Sequence, residues 1–154
     1  MNSEGSIVAF IIVAITALSV SFVSSLMEAA LLSLSPGQLA ALEKRKPKLG
    51  HIIRGFKEQI ELPITVILTL NTIAYAAGAT IVGAEAVLLF GRKSIGISSG
   101  VFTYLMLQFT EILPKSLGVH FNVVIMERGA LPLRVLIVVL HPVINLLRFV
   151  NRLF

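Results

Sequence analysis

The stretch LQFTEILPKSLG, from Leu107 to Gly118, places Glu111, Pro114 and Lys115 within five positions of an otherwise apolar run. In a helix Pro114 has no N–H for the carbonyl of Thr110, and its ring clashes with that carbonyl. An acceptor is freed one residue from the Glu111 carboxylate, with the Gln108 amide oxygen one turn earlier. Proline opens the helix and glutamate supplies charge to the opening. Lys115 stands at i+4 from Glu111, where it can pair with that carboxylate or extend its amine toward headgroups.

Two further apolar stretches carry polar atoms at helical spacing. Ser21, Ser25 and Glu28 follow i, i+4, i+7 and share one helical face, with Ser24 beside it. Their hydroxyls either bond back to their own helix carbonyls or supply oxygen ligands. The stretch LTLNTIAYAAGA centres on Asn71, whose face continues through Tyr75 and Gly78. Asn71 reads as an interhelical hydrogen bond or as a ligand. Ala74 with Gly78, and Ala79 with Gly83, are spacings that let helix backbones approach closely. Carboxylate, amide, hydroxyl and backbone oxygens together suit a hard cation such as Mg²⁺, Ca²⁺ or Na⁺ and suit soft metals poorly. There is no cysteine, and His51, His120 and His141 are scattered. No nucleophile–base pair is evident, so an enzyme is not expected.

The elements that must position these residues are membrane helices. The chain is 56% hydrophobic and 14% charged, where a soluble domain carries roughly a quarter charged residues. Mean hydropathy is +0.92. The fold class expected is an all-α membrane protein of one domain, residues 1–154, with three transmembrane helices plus interfacial juxtamembrane helices. The spans fall at about 7–34, 62–90 and 100–119, each near the ~20 residues a bilayer requires. Residues 36–61 form a connection holding Lys44, Arg45, Lys46, Lys48, Arg54 and Lys57. Such basic connections stay cytoplasmic, which puts the N-terminus outside and the C-terminus inside. An apolar stretch at about 130–150, interrupted by Pro132, Arg134, His141 and Pro142, reads as a fourth span or as a juxtamembrane helix at the interface, the second being the reading favoured. The net charge of +5 sits beside apolar spans and points to anionic membrane lipid, with no nucleic acid as partner. The expected location is the plasma (inner) membrane, multi-pass.

Three patches resemble the DUF21 transmembrane domain of the CNNM/CorC magnesium transporters. SSLMEAALLSLS is similar to that family's first-helix motif, ILTLNTIAYAAGATIVGA to its second-helix block, and EILPKSLG to its third-helix Glu-x-x-Pro-Lys motif. The likeness covers nearly the whole chain. It implies a homodimer, a belt of juxtamembrane helices, and truncation of this chain before a cytoplasmic CBS-pair module that binds adenine nucleotide. It implies Mg²⁺ as the transported ion, exported in exchange for Na⁺ from a dehydrated site within the bundle. The ligands it implies are Ser25, Asn71 and Glu111, with Ser24 the alternative if the first helix is shifted by one position and the Thr110 carbonyl completing the shell. Glu28 or Glu85 would attract the coupled Na⁺, or else serve as ordinary interfacial carboxylates. The sequence departs from the family pattern at Leu26, Thr110 and Tyr75, none of which removes a proposed side-chain oxygen. A Mg²⁺-binding channel or sensor, or a structural membrane scaffold, are the alternative readings.

Overall fold

A computed structural model of the chain describes residues 3–90 and 95–151, with side chains at Val8, 11–80, 100–101 and 103–142. Helices follow in the order α1 (Ser3–Ser33), α2 (Pro36–Arg45), α3 (Pro47–Glu58), α4 (Glu61–Phe90), α5 (Ile95–Met106), a π-helical segment (Leu107–Ile112), α6 (Leu113–His120) and α7 (Asn122–Asn151). No strand occurs among the described residues.

Two helical stretches among the described residues are long and apolar enough to cross a membrane, Ile11–Ser33 and Glu61–Thr80. Their outward side chains are large and apolar: Val8, Ile11, Ile12 and Ile15 on α1, and Leu68 and Ile73 on α4, are all exposed. In water such a surface would be unstable; in hydrocarbon it needs no cover. The third expected span corresponds to α5, the π segment and α6 in succession, an unbroken helical path whose hydrogen-bond register changes midway.

The connection 36–61 is two helices rather than a loop. Ser35 caps α2 by accepting from the Gln38 N–H at 3.2 Å, while the Gln38 side chain accepts from the Ser35 N–H at 2.9 Å. That reciprocal pair satisfies two donors that a helix start otherwise leaves open. Pro47 ends α2, because the residue before a proline is pushed out of helical geometry, and then opens α3. The two helices fold back tightly at Gly50, where an added Cβ would lie 2.7 Å from the Glu43 Cα. The Arg54 guanidinium hydrogen-bonds Glu43 and holds its carboxyl below the ordinary value.

The best-packed core lies where α2, α3 and the first half of α7 collar the end of α1 and the start of α4. Leu31, Leu34, Leu42, Ile53, Val66, Met126, Ala130 and Leu133 are buried there together. Polar ties reinforce the collar. Asn122 donates to the Ser33 carbonyl at 3.2 Å and exchanges amide hydrogen bonds with Gln38. Arg45 and Lys46 both pair with Glu127. Lys57 donates to the carbonyls of Leu31 and Leu32 at 3.2 and 3.4 Å, placing a cation at the negative end of α1. Four basic residues of the connection thus hold the molecule together: Arg45, Lys46, Arg54 and Lys57. Lys44 and Lys48 are exposed.

The C-terminal helix begins earlier than the apolar pattern suggests, at Asn122 instead of about 130. The Asn122 ties to α1 and α2 anchor its first turn, and Pro132 and Pro142 are accommodated inside it. Leu131, Val135, Val138 and Val139 line one exposed face of α7.

Candidate functional site

Above the collar, α1 and α4 meet through polar atoms. The Ser21 hydroxyl donates to the Asn71 side-chain oxygen at 2.5 Å, and Ser21 is fully buried. The Asn71 amide oxygen thus faces α1, and it has a second lone pair to offer. One turn further along α1, Ser25 is also fully buried, and its hydroxyl oxygen has no hydrogen-bond partner. Native proteins rarely leave a buried polar atom unpaired, and where one lacks a protein partner an ion or a water commonly satisfies it.

The π segment brings the third run of helix to the same place. The Thr110 hydroxyl donates to the Met106 carbonyl at 2.7 Å, so the Tyr75 hydroxyl is the donor in its own pair with Thr110. Tyr75 lies 2.7 Å from Thr110 Oγ1 and 3.0 Å from Glu111 Oε1, sharing one proton between two acceptors. Asn71 and Tyr75 are one turn apart on α4. A single face of α4 therefore touches Ser21 on one side and Glu111 on the other.

The π register changes the expected effect of Pro114. Leu113 donates to the Gln108 carbonyl, five residues back. The next bond in that register would run from residue 114 to the Phe109 carbonyl, and proline cannot make it. The acceptor that lacks this donor is therefore Phe109 in the π register, where a regular α-helix would leave Thr110. Insertions of this kind are frequent at functional sites.

Below the π segment α6 lies against α1. A Cβ at Gly118 would sit 2.6 Å from the Leu26 carbonyl oxygen and 2.7 Å from the Ala29 Cβ, so only glycine permits this approach. The approach brings Lys115 between two carboxylates: its Nζ is 3.5 Å from Glu111 Oε2 and 3.8 Å from Glu28 Oε2. Glu28 and Glu111 come from different helices and share one ammonium group.

Hydrogen bonds link Ser21 to Asn71 and Tyr75 to Thr110 and Glu111 at the junction of α1, α4 and the π segment, and Ser25 lies one turn along α1 from Ser21. Among the described residues no group of three or more His, Cys, Asp or Glu side chains could hold a metal. A cation here would be bound by one carboxylate and neutral oxygens, a set suited to Mg²⁺, Ca²⁺ or Na⁺. Ser24 takes another direction and lines a 430 Å³ apolar cavity with Met27, Ile67, Leu70 and Gly129. The side chain of Glu85 lies outside the described residues. Gly78 meets Ala17 across the α1–α4 contact, at 3.2 Å from an added Cβ, in keeping with packing as its role. Sequence reasoning missed Tyr75 as the link between α4 and Glu111, and it missed the second partner of Lys115. The i+4 step from Asn71 to Tyr75 was the available signal for the first. Nothing in the sequence pairs Glu28 with Lys115.

The sequence matches the cyclin M transmembrane N-terminal domain family, CNNM, over residues 10–154. It is 28% identical over 134 residues, 87% of its length, to a UPF0053 protein of Synechocystis sp.. It is similar also to two chloroplastic DUF21 domain-containing proteins of Arabidopsis thaliana. One is 29% identical over 126 residues (82% of the chain); the other, described as putative, is 28% identical over 134 residues (87% of the chain). The chain spans 39%, 19% and 20% of the lengths of these relatives.

Proposed function

The chain belongs to the cyclin M transmembrane domain family, and from that premise and the site geometry we propose that it moves Mg²⁺ across a membrane. The observation that carries this reading is the buried, unpartnered Ser25 hydroxyl, one turn from the Ser21–Asn71 bond. Mg²⁺ is cargo here. Ser25 Oγ, the Asn71 side-chain oxygen and the Glu111 carboxylate would replace part of its hydration shell. A backbone carbonyl beside Pro114, that of Thr110 or Phe109, would complete the set. Mg²⁺ surrenders water reluctantly, so a dry site needs oxygens already in place. Tyr75 and Ser21 serve that need by holding Glu111 and Asn71 still. Ser24 takes the place of Ser25 if the first helix is shifted by one position.

In this proposal the ion enters from the cytoplasmic side and leaves outward, by alternating access, against Na⁺ drawn in through Glu28 or Glu85. The membrane is the plasma (inner) membrane, α5 to α6 form the third crossing, and α7 lies at the interface. The exposed apolar face of α7 suits lipid contact or a second copy of the chain in a homodimer. The extra length of the relatives leaves room for a CBS-pair module.

The experiment is Mg²⁺ flux in sealed vesicles containing the purified chain, with an imposed Na⁺ gradient. The proposal expects Mg²⁺ movement opposite to Na⁺, lost in Glu111→Gln. Mg²⁺ binding without Na⁺-dependent flux would favour a channel or sensor. The Lys115 ion pairs support a structural scaffold as the second reading, which predicts no Mg²⁺-dependent stabilisation at all.

A further inference from the structure

One ammonium group stands between two carboxylates that face different surroundings. Glu111 Oε1 meets the Tyr75 hydroxyl and so belongs to the polar junction of α1, α4 and the π segment. Glu28 and Lys115 instead line a cavity of about 450 Å³ with Ala29, Leu32, Ser33 and Val119. The Lys115 contacts, 3.5 and 3.8 Å, are long for charge-assisted hydrogen bonds, which close to about 2.7–2.9 Å. The lysine is therefore committed to neither carboxylate, and its flexible four-carbon stem has open space beside it.

The charges decide what happens when a cation arrives. Two carboxylates and one ammonium leave a net charge of one negative unit. A divalent ion on Glu111 repels the ammonium group, and the carboxylate left to it is that of Glu28. A monovalent ion on Glu28 repels it toward Glu111, where it occupies the carboxylate that a divalent ion needs. We propose that Lys115 is a tethered counter-ion that makes cation binding at Glu28 and at Glu111 mutually exclusive. This rests on the proposed readings of Glu111 as the Mg²⁺ carboxylate and of Glu28 as the Na⁺ carboxylate, and it supplies them with a coupling rule. Mg²⁺ bound at Glu111 closes Glu28 to Na⁺, and Na⁺ at Glu28 closes Glu111 to Mg²⁺. Lys115 is a positioning residue that contacts neither ion.

The test is the Mg²⁺ midpoint of thermal stabilisation of the purified chain in detergent, with Na⁺ replaced by N-methylglucamine at constant ionic strength. For wild type, Na⁺ raises the midpoint by on the order of tenfold, within the usual range of coupling between two sites. In Lys115→Gln the midpoint falls below the wild-type value and becomes equal in the two salts. In Glu28→Gln the lysine has only Glu111 to pair with, so the midpoint rises and is also insensitive to Na⁺. The Glu28→Gln effect disappears in a Lys115→Gln background, which separates action through the lysine from simple loss of negative charge. Persistent Na⁺ antagonism in Lys115→Gln, or a midpoint that does not fall, overturns the proposal. So does a Glu28→Gln midpoint that does not rise, a readout that holds even if the lysine variant fails to fold. A wild type with no saturable Mg²⁺ response would instead sink the site itself.

Discussion

The Ser21 hydroxyl donates to the Asn71 side-chain oxygen across the α1–α4 contact, in a place closed to solvent. A pairing of this kind at membrane depth has two consequences. It contributes to helix association, and it holds an amide whose oxygen keeps a second lone pair.

Replacing Asn71 with Ala leaves the Ser21 hydroxyl buried without its acceptor. Such orphaned groups cost about 1–3 kcal/mol. The expected result is a lower Tm in detergent together with loss of any Mg²⁺ stabilisation. Ser21→Ala, measured alongside, lowers Tm while leaving part of the Mg²⁺ response, since it removes the orienting group and keeps the ligand.

The Tyr75 hydroxyl can be deleted with the ring kept in place. Tyr75→Phe frees Glu111 and Thr110 from a common donor. Its stability cost should be about 1 kcal/mol, the net worth of an ordinary hydrogen bond. The Mg²⁺ midpoint rises several-fold because Glu111 is no longer held in position. Thermal titration of the single variant checks both effects.

Parts of this arrangement were legible in the sequence and parts were not. The two long apolar runs predict α1 and α4 to within a few residues, because a 3.6-residue period and hydrocarbon length are local properties. Ser25, Asn71 and Glu111 stood out because polar atoms in such runs are expensive. The connection 36–61 hid its helices. Its basic residues read as topology and headgroup contacts, whereas Arg45, Lys46, Arg54 and Lys57 find partners within the fold. The π segment was out of reach for another reason. Proline signals that a hydrogen bond is lost, but which carbonyl loses it depends on a helix register that residue spacing does not reveal. The pairing of Lys115 with Glu28 is likewise tertiary, and it follows from Gly118 letting α6 approach α1.

Glycine at 118 is a steric requirement, and Gly55 provides the contrast. A Val at 118 collides with the Leu26 carbonyl and the Ala29 methyl, both on α1. Overpacking of this kind costs about 1–3 kcal/mol, and it moves Lys115 away from Glu28. At Gly55, in α3, an added Cβ meets nothing within 4 Å. Gly55→Ala should therefore raise stability by about 0.5–1 kcal/mol through helix propensity alone. Thermal melts of the two variants should move in opposite directions.

The Glu43–Arg54 pair lies outside the membrane stretches and gives a pH signature. Arg54 lowers the Glu43 carboxyl below its ordinary value of 4.5. A carboxylate with a depressed folded-state value stabilises the fold above the unfolded value, and that contribution is lost as pH falls through the folded one. Arg54→Gln should lower Tm modestly and uniformly at neutral pH. The gap to wild type should then close on acidification below about 4.5. A gap that stays constant to low pH would mean the pair acts through packing and not through charge.

Ser25 offers the most direct test of the proposed ion site, because its hydroxyl has no protein partner to lose. Ser25→Ala should leave the Tm unchanged or slightly raised without divalent ions, since it removes a buried unpaired polar atom. The measurement is the Tm of wild type, Ser25→Ala and Glu111→Gln across a Mg²⁺ titration in detergent, with an ionic-strength control. The predicted result is saturable Mg²⁺ stabilisation in wild type that is strongly weakened in both variants, against an unimpaired Ser25→Ala baseline. Superimposable Mg²⁺ curves for all three proteins would contradict it and leave the polar junction as structural glue.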